Sequence, residues 1–171
     1  RMLSEKSLDL QAKAFAVGLR IQHPQKQINF SQYGMEEPGS LGAASYKLTK
    51  QTSSGRGIYS FCMCPGGFVV NASSETGRLA VNGMSNHDRA GTNANSALIV
   101  TVTPEDFPSP GPLGGVEFQR RLEEAAFNCG KGKIPVQLYG DFKAGTLSRA
   151  FGDVVPAFKG GDSFGNLREV L

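Results

Sequence analysis

The chain reads as an α+β domain: a mainly antiparallel sheet or partly closed barrel of about five to seven strands, with one principal helix packed on it. Three observations lead there. The 22 glycines and 9 prolines of the 171 residues fall between short apolar runs, which marks many turns and therefore many short strands. These runs follow one another too closely for parallel crossovers, which need roughly a dozen residues or more, so hairpin pairing is expected. The clearest helical period is that of 115–129.

The first strand is the clearest. In 14–23 (AFAVGLRIQH), Phe15, Val17, Leu19 and Ile21 make one apolar face, and Ala14, Ala16, Gly18, Arg20 and Gln22 make the other. Pro24 ends the strand and suits the first turn of a short helix reaching Tyr33. Gly34–Gly42 reads as loop. Short strands follow at Ser45–Thr49, Gly57–Cys62, Phe68–Ala72 and Leu79–Asn82, broken by Ser53-Ser54-Gly55, Pro65-Gly66-Gly67 and Thr76-Gly77. Asn82-Gly83-Met84-Ser85 reads as a strand end and a tight turn, and Ser85–Asn95 as a long polar connection. Asn95–Val102 is a further strand, central by its Leu98-Ile99-Val100 run. Thr103 caps a brief helical turn that begins at Pro104. In 115–129, Phe118, Leu122, Ala125, Ala126 and Cys129 share a face, Glu117 and Arg121 pair at i,i+4 on the opposite surface, and Gly130 supplies the stop. Ile134–Leu138 is a strand or extended segment, and nothing assigns the tail after Gly140. The opening Arg1-Met2-Leu3 and the helical pattern of 166–171 read as ends cut from a larger chain.

Composition narrows the function classes. A hydrophobic fraction of 39% with 19% charged residues suits a soluble globular domain. The net charge is +3, and no Lys/Arg cluster exceeds Arg120-Arg121, so no nucleic-acid partner is expected. No apolar run approaches a membrane span, so no membrane is expected either. Three cysteines do not close a disulfide framework, which points to a reducing, cytoplasmic setting.

The stretch Tyr59–Gly67 (YSFCMCPGG) concentrates the chemistry. In a strand, Cys62 and Cys64 share one face, and the Pro-Gly-Gly turn lets backbone approach something closely at Gly66 and Gly67. The thiols read in three ways: a redox pair, half of a metal site, or two small packed side chains. Redox pairs usually space as C-x-x-C, and zinc sites want four ligands, whereas only Cys129, His23 and His87 remain; no metal is expected. Arg20 shares its face with small residues, which leaves room for a carboxylate, a phosphate or an aromatic plane, or for a plain surface ion pair. His23 stands at the strand end, where it caps a turn or serves a reaction. Asn82, Ser85, Arg89, Asn93, Asn95 and Ser96 either read a polar ligand or satisfy a turn. No G-x-G-x-x-G, phosphate-loop or G-x-S-x-G motif is present.

The strings FAVGLRIQHPQ (15–25), GRGIYSFCMCPGG (55–67), VNGMS (81–85), NANSALIVTV (93–102) and FQRRLEEAAF (118–127) resemble the middle portion of uncharacterised FAD-dependent dehydrogenases, large bacterial flavoproteins often called NAD(FAD)-utilising dehydrogenases. The resemblance runs in order over roughly residues 12–142, with YSFCMCPGG its most specific string. Gln22 departs from it, standing where the family's pattern usually carries an acid. The family's glycine-rich FAD-binding segment is also missing here.

The resemblance implies that residues 1–171 are a single inserted cap domain, with 143–171 a tail leading back to the FAD-binding domain of the same parent chain. FAD then belongs to the parent, with NAD(P)H as a candidate donor and an unknown small molecule as substrate. The fragment alone is expected to bind no cofactor and to catalyse nothing. Cys62, Cys64 and His23 stand as catalytic candidates, and Arg20, Gly66, Gly67, Asn82, Ser85, Asn95 and Ser96 as pocket-facing residues. A freestanding α+β ligand-binding or interaction module, and a thiol redox protein working through Cys62 and Cys64, are the alternatives.

Overall fold

A computed structural model describes residues 2–171, starting with a single helical turn, α1 (Met2–Glu5). The alternating segment then forms β1 (Phe15–Pro24), and the chain passes at once into α2 (Gln25–Tyr33), which Gly34 ends in a left-handed cap. The following strands are β2 (Thr49–Gln51), β3 (Gly57–Cys64), β4 (Gly67–Asn71), β5 (Val81–Ser85) and β6 (Asn93–Val102). After a 3-10 turn at Pro104–Asp106 comes the long helix α3 (Gly114–Cys129). Then β7 (Ile134–Val136), α4 (Tyr139–Ala144), β8 (Phe158–Lys159) and β9 (Asp162–Phe164) complete the chain.

The architecture is α+β, as expected, and the sheet does not close into a barrel. One antiparallel sheet has the order β1-β6-β3-β2, a second has β5-β4-β8, and β7 and β9 form a pair. The β4–β8 and β7–β9 pairings are parallel, a feature that close spacing in sequence did not anticipate. They arise because the tail after Gly140, unassigned from sequence, returns over long crossovers to β4 and to β7.

Two boundaries differ from the sequence reading for identifiable reasons. Residues 45–48 run beside β3 but form no ladder, since the Ser60 hydroxyl accepts the Leu48 N–H at 2.8 Å in place of a carbonyl. The tight turn read at 82–85 is instead strand: β5 pairs with β4 from Val81–Asn71 to Ser85–Gly67. Leu79 is drawn away to α3, its N–H donating to the Glu123 carbonyl at 2.9 Å.

The core gathers where α3 meets the rest. Phe15, Phe107 and Phe118 cluster with ring centroids 5.3–6.0 Å apart, tying the start of α3 to the start of β1. Ile134, Val136 and Val170 are buried farther along, where α3 meets β7 and the final turn. Glu117 and Arg121 pair at 2.9 Å on its outer surface, as their spacing predicts. Ile21, Phe61, Met84 and Leu98 remain exposed on the sheets.

Candidate functional site

The centre of the site is a β-bulge in the YSFCMCPGG string. β3 pairs Phe61 with Ala97 and then Cys64 with Asn95, so Cys62 and Met63 together oppose Ser96. Cys62 takes a left-handed φ of 45°, uncommon for a residue with a Cβ. The bulge corrects the expectation of simple alternation from Cys62 to Cys64. Both thiols are free, Cys62 is exposed, and the Cys64 thiol donates to the Cys62 carbonyl at 3.2 Å.

The bulged carbonyl also meets Arg20. Register places Arg20, Ala97 and Phe61 in one row, and Gln22, Asn95 and Cys64 in the next row on the same face. Arg20 Nη1 donates to the Cys62 carbonyl at 3.1 Å and to Asn95 Oδ1 at 2.6 Å, and Nη2 reaches Asn82 Oδ1 at 3.4 Å. Asn95 is fully buried. β5 crosses this face with Gly83, where a Cβ would overlap both Arg20 Nη1 and Asn95 Oδ1. Glycine there is what admits the guanidinium. The structure therefore brings Arg20, Cys62, Asn82 and Asn95 together, from four strands.

The Pro65-Gly66-Gly67 turn is held from three sides. Ser85 Oγ donates to the Pro65 carbonyl at 2.7 Å, and the Gly66 N–H donates to Gln25 Oε1 at 2.8 Å. Gly91 N–H donates to the Gly66 carbonyl at 3.2 Å. Gly66 has a φ of 51°, and a Cβ on it would overlap the Arg89 carbonyl; one on Gly67 would overlap the Met84 carbonyl. The glycines serve close backbone packing, and Ser85 acts as a strut within it.

Gln25 and Asn29, which sequence reasoning missed, form a buried polar hub. Gln25 Nε2 donates to Asn29 Oδ1 at 2.8 Å and to the Ala44 carbonyl at 2.9 Å, while Asn29 Oδ1 also accepts the Ala44 N–H. Their i,i+4 spacing on a short polar helix was the available signal. Beside this hub lies a groove of about 750 Å³, reached by Asn29, Glu37, Arg89, Asn93 and Val155. Gln22 accepts the Ala157 N–H at 2.9 Å. An amide oxygen fills an acceptor's part there without a negative charge.

His23 and Ser96 occupy the opposite face and do not join the Arg20 cluster. Ser96 is fully buried, its hydroxyl donating to the Ala97 carbonyl at 3.1 Å and toward that of Phe61 at 3.3 Å. His23 lies against Tyr46, ring centroids 5.5 Å apart. His23 Nε2 and the Tyr46 hydroxyl are both buried without a hydrogen bond of full geometry. Burial lowers the His23 pKa from its ordinary value; it raises that of Tyr46, which the Ser96 hydroxyl and the Arg20 charge partly oppose.

The β1–α2 junction offers no dinucleotide cradle. Among the described residues no three His, Cys, Asp or Glu side chains are grouped to hold a metal ion. The strand-to-helix junction β1–α2 has no glycine loop, and its first helical N–H, that of Gln25, already donates to the Thr92 carbonyl at 2.8 Å. A pyrophosphate needs such N–H groups free, so these residues do not fit the FAD phosphates. No helix among the described residues is long and apolar enough to cross a membrane.

Residues 14–171 match the family model described as "FAD-dependent protein, C-terminal domain-like". A relative from Clostridium beijerinckii, which carries the name "Uncharacterized protein", is 53% identical over 174 residues. That alignment covers 99% of this chain and 33% of the relative, so the chain spans about a third of the relative's length.

Proposed function

This chain belongs to the FAD-dependent protein, C-terminal domain-like family, and from that premise we propose that it is a cap domain of a larger FAD-dependent dehydrogenase. In this reading it walls the substrate pocket over a flavin held elsewhere in the parent chain, with NAD(P)H as a candidate donor. The last part of the chain, 143–171, leads back to the FAD-binding domain. The cap supplies hydrogen-bond donors, shape and exclusion of water, while the flavin, when bound by the parent, supplies the redox chemistry.

One observation carries the reading: a built polar cluster joins Arg20 to exposed Cys62 and Asn82 over the buried Asn95, on a domain whose β1–α2 junction holds no phosphate cradle. A guanidinium placed by a bulge, a buried amide and an obligatory glycine is costly to assemble for stability alone. Exposed Phe61 and Met84 nearby in the same strands leave apolar surface for the rest of a parent chain to cover.

Hydrogen exchange on the full-length parent, with and without FAD, tests the proposal. Residues 61–67 and 81–85 are expected to gain protection when FAD binds. Equal exchange in both states throughout this domain would refute a cap lying over the flavin.

A further inference from the structure

We infer that Arg20 is a carboxylate receptor, and that the ligand it takes on this face of the sheet is an organic acid with an apolar body. The inference begins with hydrogen-bond accounting on the guanidinium. Nη1 spends both hydrogens, on the Cys62 carbonyl and Asn95 Oδ1. Nη2 spends one, on a long 3.4 Å contact to Asn82. Nε and the second Nη2 hydrogen have no partner among the described residues. The orphaned buried polar atoms among those residues are His23 Nε2, Tyr46 Oη, Arg78 Nε and Asn95 Nδ2; Arg20 Nε is not one of them, so its hydrogen is open to solvent. The free pair, Nε and Nη2, is the edge that binds a carboxylate through two parallel hydrogen bonds.

Charge points the same way. The other hydrogen-bonded arginines near acids are spent: Arg56 on Asp106, Arg120 on Glu75, Arg121 on Glu117. Among the described residues Arg20 forms no ion pair, and its three partners are all neutral. They fix the guanidinium without cancelling its charge. Asn82 adds a donor: its Oδ1 accepts from the Gly83 N–H at 2.8 Å and from Arg20, while its Nδ2 is unspent on an exposed residue. One positive charge with three donors matches a monoanionic carboxylate better than a phosphate dianion, which wants further cations or a nest of N–H groups.

Apolar surface lies in the same row. Phe61 is opposite Ala97, which is opposite Arg20, so two strand spacings of about 4.8 Å separate them on one face. Phe61 is 55% exposed. An acid anchored on Arg20 can thus lay an aliphatic or aromatic body across Ala97 toward Phe61.

The inference rests on the proposed pocket only for the ligand's role, so its test has two separable readouts on the full-length, FAD-loaded parent. Calorimetry compares 3-phenylpropanoate with its uncharged amide. The acid is expected to bind, with the amide about tenfold to hundredfold weaker, the worth of a charge-assisted fork. Arg20→Lys, which keeps the charge but loses the fork, and Gly83→Ala, which displaces the guanidinium, should each weaken the acid about tenfold or more with FAD content unchanged. Melting curves identify a variant that fails to fold, in which case the acid–amide comparison in the unaltered protein decides. Equal binding of acid and amide, no binding of either, or acid affinity that survives Arg20→Lys would overturn the inference, as would loss of FAD on that substitution. Flavin absorbance is the second readout: Arg20-dependent binding of the acid without a change in the flavin spectrum would uphold the receptor and refute its place over the flavin.

Discussion

Replacing Gln25 with leucine removes three hydrogen bonds at once and keeps nearly the same volume. The amide is 5% exposed and accepts the Gly66 N–H while donating to Asn29 Oδ1 and the Ala44 carbonyl, at 2.8–2.9 Å. A typical internal hydrogen bond contributes about 1 kcal/mol net, and an orphaned buried partner costs about 1–3 kcal/mol. Asn29 Oδ1 keeps the Ala44 N–H, so two groups are fully orphaned, the Gly66 N–H and the Ala44 carbonyl. The expected loss for Q25L is about 3 kcal/mol, a large share of the roughly 5–15 kcal/mol that holds a domain. Urea unfolding of the 171-residue chain measures it; with a slope of about 2 kcal/mol per molar, the midpoint falls by about 1.5 M. Q25E supplies a sharper contrast. It keeps an acceptor for Gly66 but turns its other oxygen, a second acceptor, toward two acceptors and buries a charge, so at neutral pH it should cost more than Q25L. Its deficit should shrink toward pH 4.5, where protonation restores one donor. A Q25L variant within 0.5 kcal/mol of the parent chain would refute the hub, and Q25E more stable than Q25L at pH 7 would refute its polarity.

The remaining expectations are briefer. Burial lowers the His23 pKa, so the folded state resists the proton that the unfolded state takes up; stability is fully present above the ordinary value of 6.5 and falls as pH drops below it. His23→Gln should flatten the melting temperature between pH 7.5 and 5, and an unchanged slope would count against the buried ring. Gly66→Ala combines a left-handed φ with an overlap on the Arg89 carbonyl, for a loss of about 1–3 kcal/mol in urea unfolding. A silent substitution there would mean that the turn is not held. Iodoacetamide should modify exposed Cys62 well before Cys129, whose thiol is pushed up by burial and by the nearby Glu169 charge. Peptide mapping in which Cys129 leads would contradict that environment.

Local pattern carried much of the fold. Alternation in 15–24 and the helical stripe from Phe118 to Cys129 were readable because one face of each is apolar and the period is long enough to count. The parallel strands β8 and β9 were not, since they hold two and three residues and exist only because distant partners accept them. The site divides along the same line. Arg20, Cys62, Asn82 and Asn95 were nameable as polar or reactive types in strand-like runs, and they do meet. What joins them was invisible: the bulge at Cys62 breaks the two-residue period, and nothing in the string FCMC announces it. Gly83 read as a turn residue because an isolated glycine signals a turn as often as a close approach. His23 and Ser96 were grouped with the others by nearness in sequence, yet the pleat puts them on the far face.

The bulge links these observations into one cause. Without it, β3 would keep its two-residue period and Cys62 and Cys64 would both sit in register against β6. With it, the Cys62 carbonyl turns out and accepts from Arg20, whose side chain rises from β1 two strands away. The guanidinium then needs space under β5, which only the glycine at 83 allows, and a buried acceptor, which Asn95 provides. Each part is unfavourable alone: a left-handed cysteine, a buried amide with an orphaned Nδ2, and a half-buried cation without an acid. Folding stability gives no reason to retain all three, because an apolar residue at 20 facing an apolar residue at 95 would pack the same gap at lower cost. Their retention together is what an outward-facing anion receptor requires, and it ties the proposed cap role to a single side chain whose replacement can be assayed.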